Sequence, residues 1–222
     1  SGNVATTMIK LMLLKGINVN QVYSRNESAA KELNTIYGVP CTSNIEALDK
    51  NADFYLLCIA DDALNQNLSY LQGLNDKPVY HTAAAVSKEV LKTISAHYGV
   101  IYPLQSLRKE MKDLPKIPFL LDANNDLALQ MAISIVEKIG DGFAIANDEE
   151  RLKIHVTAVM VNNFTNHLFA LAEGYCNKEG IDFQLLKPLI AETSNRAIQS
   201  SPSLEQTGPA ISKVLHDSRV KN

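Results

Sequence analysis

Over residues 1–122 the chain alternates short runs of β-branched and aromatic residues with amphipathic stretches, and that rhythm confines it to a few architectures. Strands are expected over residues 18–24, 53–59, 78–82, 99–102 and 117–121, with helices between most of them. Residues 54–59 are apolar at nearly every position, as a strand covered on both faces requires. Ser43 and Glu46 have capping-box spacing and mark a short helix start. Beyond residue 122 the strand rhythm stops. Asn124, Asn125 and Asp126 offer caps to a helix reaching Ile139, which Gly140 can end in the left-handed conformation. Asp148, Glu149 and Glu150 open a long helical pattern that Gly180 stops; Asp182 can cap another helix, which Pro188 must kink or divide. The expected class is α/β, a parallel sheet over residues 1–122 followed by an all-helical domain over residues 123–222.

Composition narrows the partners. The 222 residues give room for one large domain or two small ones. With 21 basic and 24 acidic residues the net charge is -3, without the basic excess that nucleic-acid binding requires. The longest apolar run, residues 54–60, falls far short of the roughly 20 residues that span a bilayer. The first residues lack the regions of a signal peptide, so a cytoplasmic protein away from membranes is expected. Three cysteines without a C-x-x-C pair and five histidines without H-x-x-x-H spacing suggest neither a disulfide framework nor a metal site.

The chain opens Ser1-Gly2-Asn3-Val4-Ala5 ahead of an amphipathic helix and then a strand ending near Ser24. This order matches the tail of G-x-G-x-x-A, with Gly2 and Ala5 in its second and third places. There a residue without a side chain lets the backbone approach a pyrophosphate, and the helix start at Asn3 and Val4 supplies amide hydrogens. The first glycine and the strand before it are absent, so the sequence is expected to begin inside a longer protein. About twenty residues on, where NAD enzymes place a carboxylate, the strand end reads Ser24-Arg25-Asn26. A hydroxyl and a guanidinium suit a 2′-phosphate, which favours NADP in a Rossmann-type domain. The alternative for Arg25 is an exposed residue in a helix-capping turn. Ile59, Ala60 and Asp61, ending a later strand, complete the expected cofactor-binding set.

Open α/β sheets bind ligands beyond the carboxyl ends of their strands, which is where His81 falls. An ordinary histidine exchanges protons near neutral pH, making His81 a candidate donor, or else a strand-end residue that hydrogen-bonds a loop. On the long helix His155, Asn162 and Asn166 lie within about 40° of one another at 100° per residue, with Glu173 on the same stripe. Thr157, Met160, Val161, Phe164, Leu168 and Leu171 occupy the opposite arc and are expected to pack inward. The polar stripe then faces either solvent or the cleft between the domains, and on the second reading His155 and Asn162 join His81 as catalytic candidates.

Seven segments stand in one order: Ser1-Gly2-Asn3-Val4-Ala5, Tyr23-Ser24-Arg25, Ala60-Asp61-Asp62-Ala63, His81-Thr82-Ala83-Ala84, Tyr102-Pro103-Leu104-Gln105-Ser106, residues 155–164, and Gln206-Thr207-Gly208-Pro209-Ala210. Together they resemble the Rossmann-like oxidoreductases that carry domain of unknown function 2520 at the C-terminus, relatives of pyrroline-5-carboxylate reductase and of the deazaflavin-dependent NADP reductases. The resemblance implies NADP binding, oxidoreductase activity on a small molecule, and a homodimer formed through the helical domain. Two departures bear on the site. The family's His-Thr-Ser-Gly turn has Ala83-Ala84 here, and Ile211 follows Ala210 where the family continues with a basic and an acidic residue. The β-hydroxyacid dehydrogenases, of similar architecture, place a lysine three residues before Asn-Asn; Val159 precedes Asn162-Asn163 here, so an imine or other acceptor fits better than a hydroxy acid. The function expected is hydride transfer between NADP and a small molecule in the interdomain cleft. The alternative is a non-catalytic NADP-binding sensor or assembly module.

Overall fold

The expected strands form, the first three shorter than the runs that announce them and the last two running on to Pro103 and Ala123. The computed structural model describes residues 2–204 apart from positions 65, 67 and 75, so Ser1 and the Gln206–Ala210 match lie outside the described residues. Strands β1 (Val22–Tyr23) and β2 (Cys41–Thr42) form a parallel pair. A second sheet runs in the order β3 (Tyr55–Leu57), β4 (Val79–His81), β5 (Tyr98–Pro103), β6 (Phe119–Ala123) and β7 (Phe143–Ile145). Its first three strands are parallel, with Leu57, His81 and Val100 side by side. β6 is antiparallel to β5, and β7 is parallel to β6. The sheet is therefore mixed. The 104–118 connection contains no helix, and without a helical crossover the chain returns antiparallel.

Helix α1 (Asn3–Leu14) buries Met8, Leu11 and Met12 against Tyr80, Ile101, Phe119 and Leu121 of the sheet, together with Ala128, Ala132 and Ile135 of α4 (Asp126–Ile139). Val79, the neighbour of Tyr80, points the other way into a second core with Leu64, Leu71, Leu91 and Ile94, the period-two alternation of a strand covered on both faces. Ile9 of α1 and Leu33 of α2 (Glu27–Tyr37) close a third core on Val22. Strand β3 ends the five-stranded sheet and is only half-buried, so its apolar run is less covered than the sequence suggests.

Local signals are mostly realised, with three corrections. Asn44, not Ser43, caps the short 3-10 helix at Ile45–Ala47, accepting from the Glu46 amide. Asn125 caps α4, but Gly140 ends it in an extended conformation (φ -104°) rather than a left-handed one. Its lack of a side chain serves close approach instead: a Cβ there would lie 2.8 Å from the Phe119 ring. Gly140→Ala is expected to cost about 1–3 kcal/mol by overpacking, read as a lower urea midpoint; an unchanged midpoint would mean the ring yields freely. The strands run past residue 122 through β6 and β7, so uninterrupted helix begins only at α5 (Asp148–Val159).

By contact the chain divides into two units, Ser1–Asn163 and Phe164–Asn222. Helix α5 belongs to the first, capped by a reciprocal Asn147–Glu150 box and followed by a π-helical turn, Met160–Phe164. The second holds α6 (Thr165–Glu179), which Gly180 stops at φ 69°, and α7 (Lys187–Gln199). Asp182 caps the 3-10 helix Phe183–Leu186, and Pro188 stands in the first turn of α7, dividing the two. The apolar arc expected to pack inward does not: Met160, Val161, Phe164, Leu168 and Leu171 are all more than half exposed. Periodicity identifies residues that share a face and is silent on what covers it. Among the described residues no helix is long and apolar enough to cross a membrane.

Candidate active site

Helix α1 starts at Gly2 in extended backbone, with no side chain capping its first turn and no acidic residue in it. Among the described residues, a Cβ on Gly2 would meet nothing within 4 Å. Amide hydrogens and the helix dipole there suit a phosphate. Asn3 also ties down a distant loop, its Oδ1 accepting from the Lys109 amide at 3.1 Å, while Lys10 of α1 donates to the Met111 carbonyl at 2.8 Å. Ser24 and Arg25 follow β1; Arg25 is exposed. Burial raises the Tyr70 hydroxyl pKa, and the Arg25 charge nearby pulls it back. Asn26 is committed to capping α2, accepting from the Ala29 amide and the Ser28 hydroxyl. At the end of β3 the Ala60 carbonyl accepts from the Ala63 and Leu64 amides, opening the short helix α3 (Asp61–Leu64) with Asp61 exposed in its first turn. A helix start without a side-chain cap and an exposed guanidinium after the next strand are the groups in the described residues that could hold a phosphorylated dinucleotide.

His81 is not where a solvent-exchanging donor should be. It is fully buried at the end of β4, and its Nδ1 accepts from the Ala83 amide at 3.1 Å, which places the ring proton on Nε2. Burial first, then the Arg151 charge, pushes its pKa down to about 4. The ring is neutral at pH 7, so the donor role expected from an ordinary histidine is replaced by one of ordering the turn. The unfolded chain takes up this proton near pH 6.5 and the folded chain only near 4, so in that window unfolding binds protons and stability falls as pH falls. Over the window the loss amounts to about 3 kcal/mol at most. His81→Asn should flatten the slope of urea midpoint against pH between those values; an unchanged slope would contradict the assignment.

The charge beside His81 comes from Arg151 of α5, only 1% exposed. Its Nε donates to the Ala84 carbonyl (3.0 Å), and its Nη2 donates to the Val86 carbonyl and to Asp148 (both 2.7 Å). Its Nη1 lies 3.9 Å from Asp122, which also accepts from Lys88 at 2.7 Å. Arg151 thus clamps the turn after β4 to the start of α5.

One turn further along α5 lies His155, whose Nδ1 is 2.9 Å from the Tyr102 hydroxyl. The rings meet edge to face, centroids 5.9 Å apart at 83°. Both border a cleft of about 510 Å³ within the first unit. One wall is the end of β5 and its loop, with Tyr102, Leu104, Gln105 and Ser106; the other is α5 and the π turn, with His155, Val159, Asn162 and Asn163. Gln105 is braced by donation to the Lys116 carbonyl and acceptance from the Ser106 amide. Asn162 donates to Asn163 at 3.0 Å. Burial raises the Tyr102 pKa, opposed by Arg151 and reinforced by Asp61. The structure therefore joins His155 and Asn162 in one cleft and leaves His81 out of it. Arg151 and the role of Tyr102 escape sequence reasoning because their partners lie far off in the chain. Hydroxyl, imidazole and amide groups lining apolar walls can polarise a carbonyl or imine and pass it a proton. Lys153, the other cation of this helix, pairs with Glu149 on the surface.

The family model of Domain of unknown function (DUF2520) matches residues 117–213. A candidate NADP oxidoreductase from Bacteroides fragilis is 32% identical over 99% of this chain and 85% of its own, with a TM-score of 0.86. A Thermotoga maritima protein is 22% identical over 99% of this chain and 87% of its own, with a TM-score of 0.72. A pyrroline-5-carboxylate reductase from Coxiella burnetii is 16% identical over 99% and 89%, with a TM-score of 0.67. The latter two share the fold. No curated protein matches the sequence.

Proposed function

The chain belongs to the Rossmann-type NADP oxidoreductase family that carries DUF2520, and on that premise we propose that it moves hydride between NADP and a small molecule held in the Tyr102–His155–Asn162 cleft. Gly2, Asn3 and Val4 receive the pyrophosphate at the start of α1, and Ser24 and Arg25 take the 2′-phosphate. Asn26 holds that turn through its cap, and Ile59, Ala60 and Asp61 border the cofactor at the end of β3. The nicotinamide supplies the redox chemistry; the protein orients the acceptor, limits water and manages a proton. The observation that carries this reading is the hydroxyl–imidazole pair in a cleft beyond the carboxyl end of β5. His155 and Asn162 act in the cleft, while His81 orders the neighbouring turn. With Val159 in place of a lysine, an imine or other carbonyl-derived acceptor suits the site better than a hydroxy acid.

The reading is tested by NADPH oxidation across a panel of aldehydes, ketones and imines. Turnover of at least one class is expected. Tight NADPH binding without turnover of any would favour the second reading, a sensor or assembly module, for which the Ala83-Ala84 turn speaks.

The proposed assembly is a homodimer through the helical part. Leu168, Leu171 and Tyr175 recur at helical spacing on α6 and are all more than half exposed, as are Leu185, Leu189 and Ile198. So many exposed large apolar side chains mark an association surface. Light scattering should give twice the chain mass, and Leu168→Glu combined with Leu171→Glu should halve it; a monomeric wild type would contradict the dimer.

A further inference from the structure

We propose that Tyr102 is the proton donor of the reaction and that His155 is the relay that restores its proton. The proposal rests on the oxidoreductase reading above. Its basis is geometric. The Tyr102 hydroxyl and His155 Nδ1 are 2.9 Å apart, and the edge-to-face contact of the rings fixes that approach. Both residues border the cleft, so the pair is presented to whatever the cleft holds. When Nδ1–H donates to the phenol oxygen, the phenol hydrogen is left to point at a substrate heteroatom; His155 alone would spend its Nδ1 on Tyr102.

The charged and titratable groups around Tyr102 are His155 and Arg151 from α5 and Asp61 from α3. Burial, the largest influence, keeps the phenol protonated at neutral pH, as a donor requires. Arg151 favours the phenolate that follows transfer, and Asp61 opposes it.

The step balances as follows. A dihydronicotinamide, when bound, would supply two electrons as hydride to the electrophilic carbon of a C=N or C=O acceptor. The π-bond electrons form the new N–H or O–H bond with the Tyr102 proton. The phenolate then takes the Nδ1 proton of His155, which recovers one from water at Nε2. The acceptor is reduced, the nicotinamide is oxidised, Tyr102 is a phenol again, and His155 is left as the Nε2–H tautomer, which proton exchange with water returns to the Nδ1–H form.

The test uses the full chain as wild type, Tyr102→Phe and His155→Gln. Calorimetry with NADPH should give equal affinities for all three. With NADPH and the cyclic imine 1-pyrroline, alongside a ketone and an aldehyde, Tyr102→Phe should lose about 100-fold or more in turnover. It should also lose the fall in kcat/KM at high pH that marks deprotonation of the Tyr102 phenol. His155→Gln should fall less and keep that limb. Without substrate, nitrogen NMR of His155 should show a displaced Nδ1 resonance in Tyr102→Phe. Turnover within threefold of wild type, or an undisturbed His155 resonance, overturns the donor assignment alone. A wild type that fails to bind NADPH overturns the oxidoreductase reading, and one that binds it but reduces no acceptor overturns both.

Discussion

Arg151→Met should destabilise the fold by about 3–5 kcal/mol, the range for breaking a buried ion pair by removing one partner. The methionine replaces the volume of the side chain but none of its hydrogen bonds. The Ala84 and Val86 carbonyls lose the donors that pin the turn after β4, and Asp148 loses its guanidinium partner. Asp122 is left with Lys88 alone. Uncompensated buried acceptors each carry a desolvation cost, so the losses add to more than the ion pair itself. Lys153→Met is the control: two residues away on the same helix, that side chain pairs with Glu149 in solvent, and its loss should stay below about 1 kcal/mol. Urea unfolding followed by circular dichroism separates the two. An Arg151→Met midpoint close to that of Lys153→Met would show that the turn holds without the clamp.

Arg25→Ala should weaken NADPH binding by about 10- to 100-fold, as expected when a charge-assisted hydrogen bond to phosphate is lost. NADH binding should barely change, because only the 2′-phosphate distinguishes the two. Arg25 is exposed and follows β1 directly, and Asn26 holds the turn by capping α2, so its removal disturbs no core contact. Equal weakening for both nucleotides would instead assign Arg25 to a part they share.

Much of this arrangement is legible in the sequence because it is local. Asn125 and Asp182 cap where their spacing places them, and Gly180 adopts the left-handed turn that ends a helix. Strands β1, β3 and β4 fall inside the expected runs. What is not legible depends on distant partners. β7 is three residues long and exposed, and becomes a strand only by pairing with β6. Tyr102 and His155 lie 53 residues apart, and Arg151 and Ala84 67. No spacing rule reaches that far. His81 shows the same limit for chemistry: its residue type suggests a neutral-pH titration, while burial and Arg151 move that titration out of reach.

A crystal structure of the full chain with NADPH tests the central claim most directly. The account places the pyrophosphate against the Gly2 turn, the 2′-phosphate within hydrogen-bond reach of Arg25, and the nicotinamide at the Tyr102–His155 cleft. A dinucleotide bound elsewhere, or a nicotinamide turned away from that cleft, would contradict it.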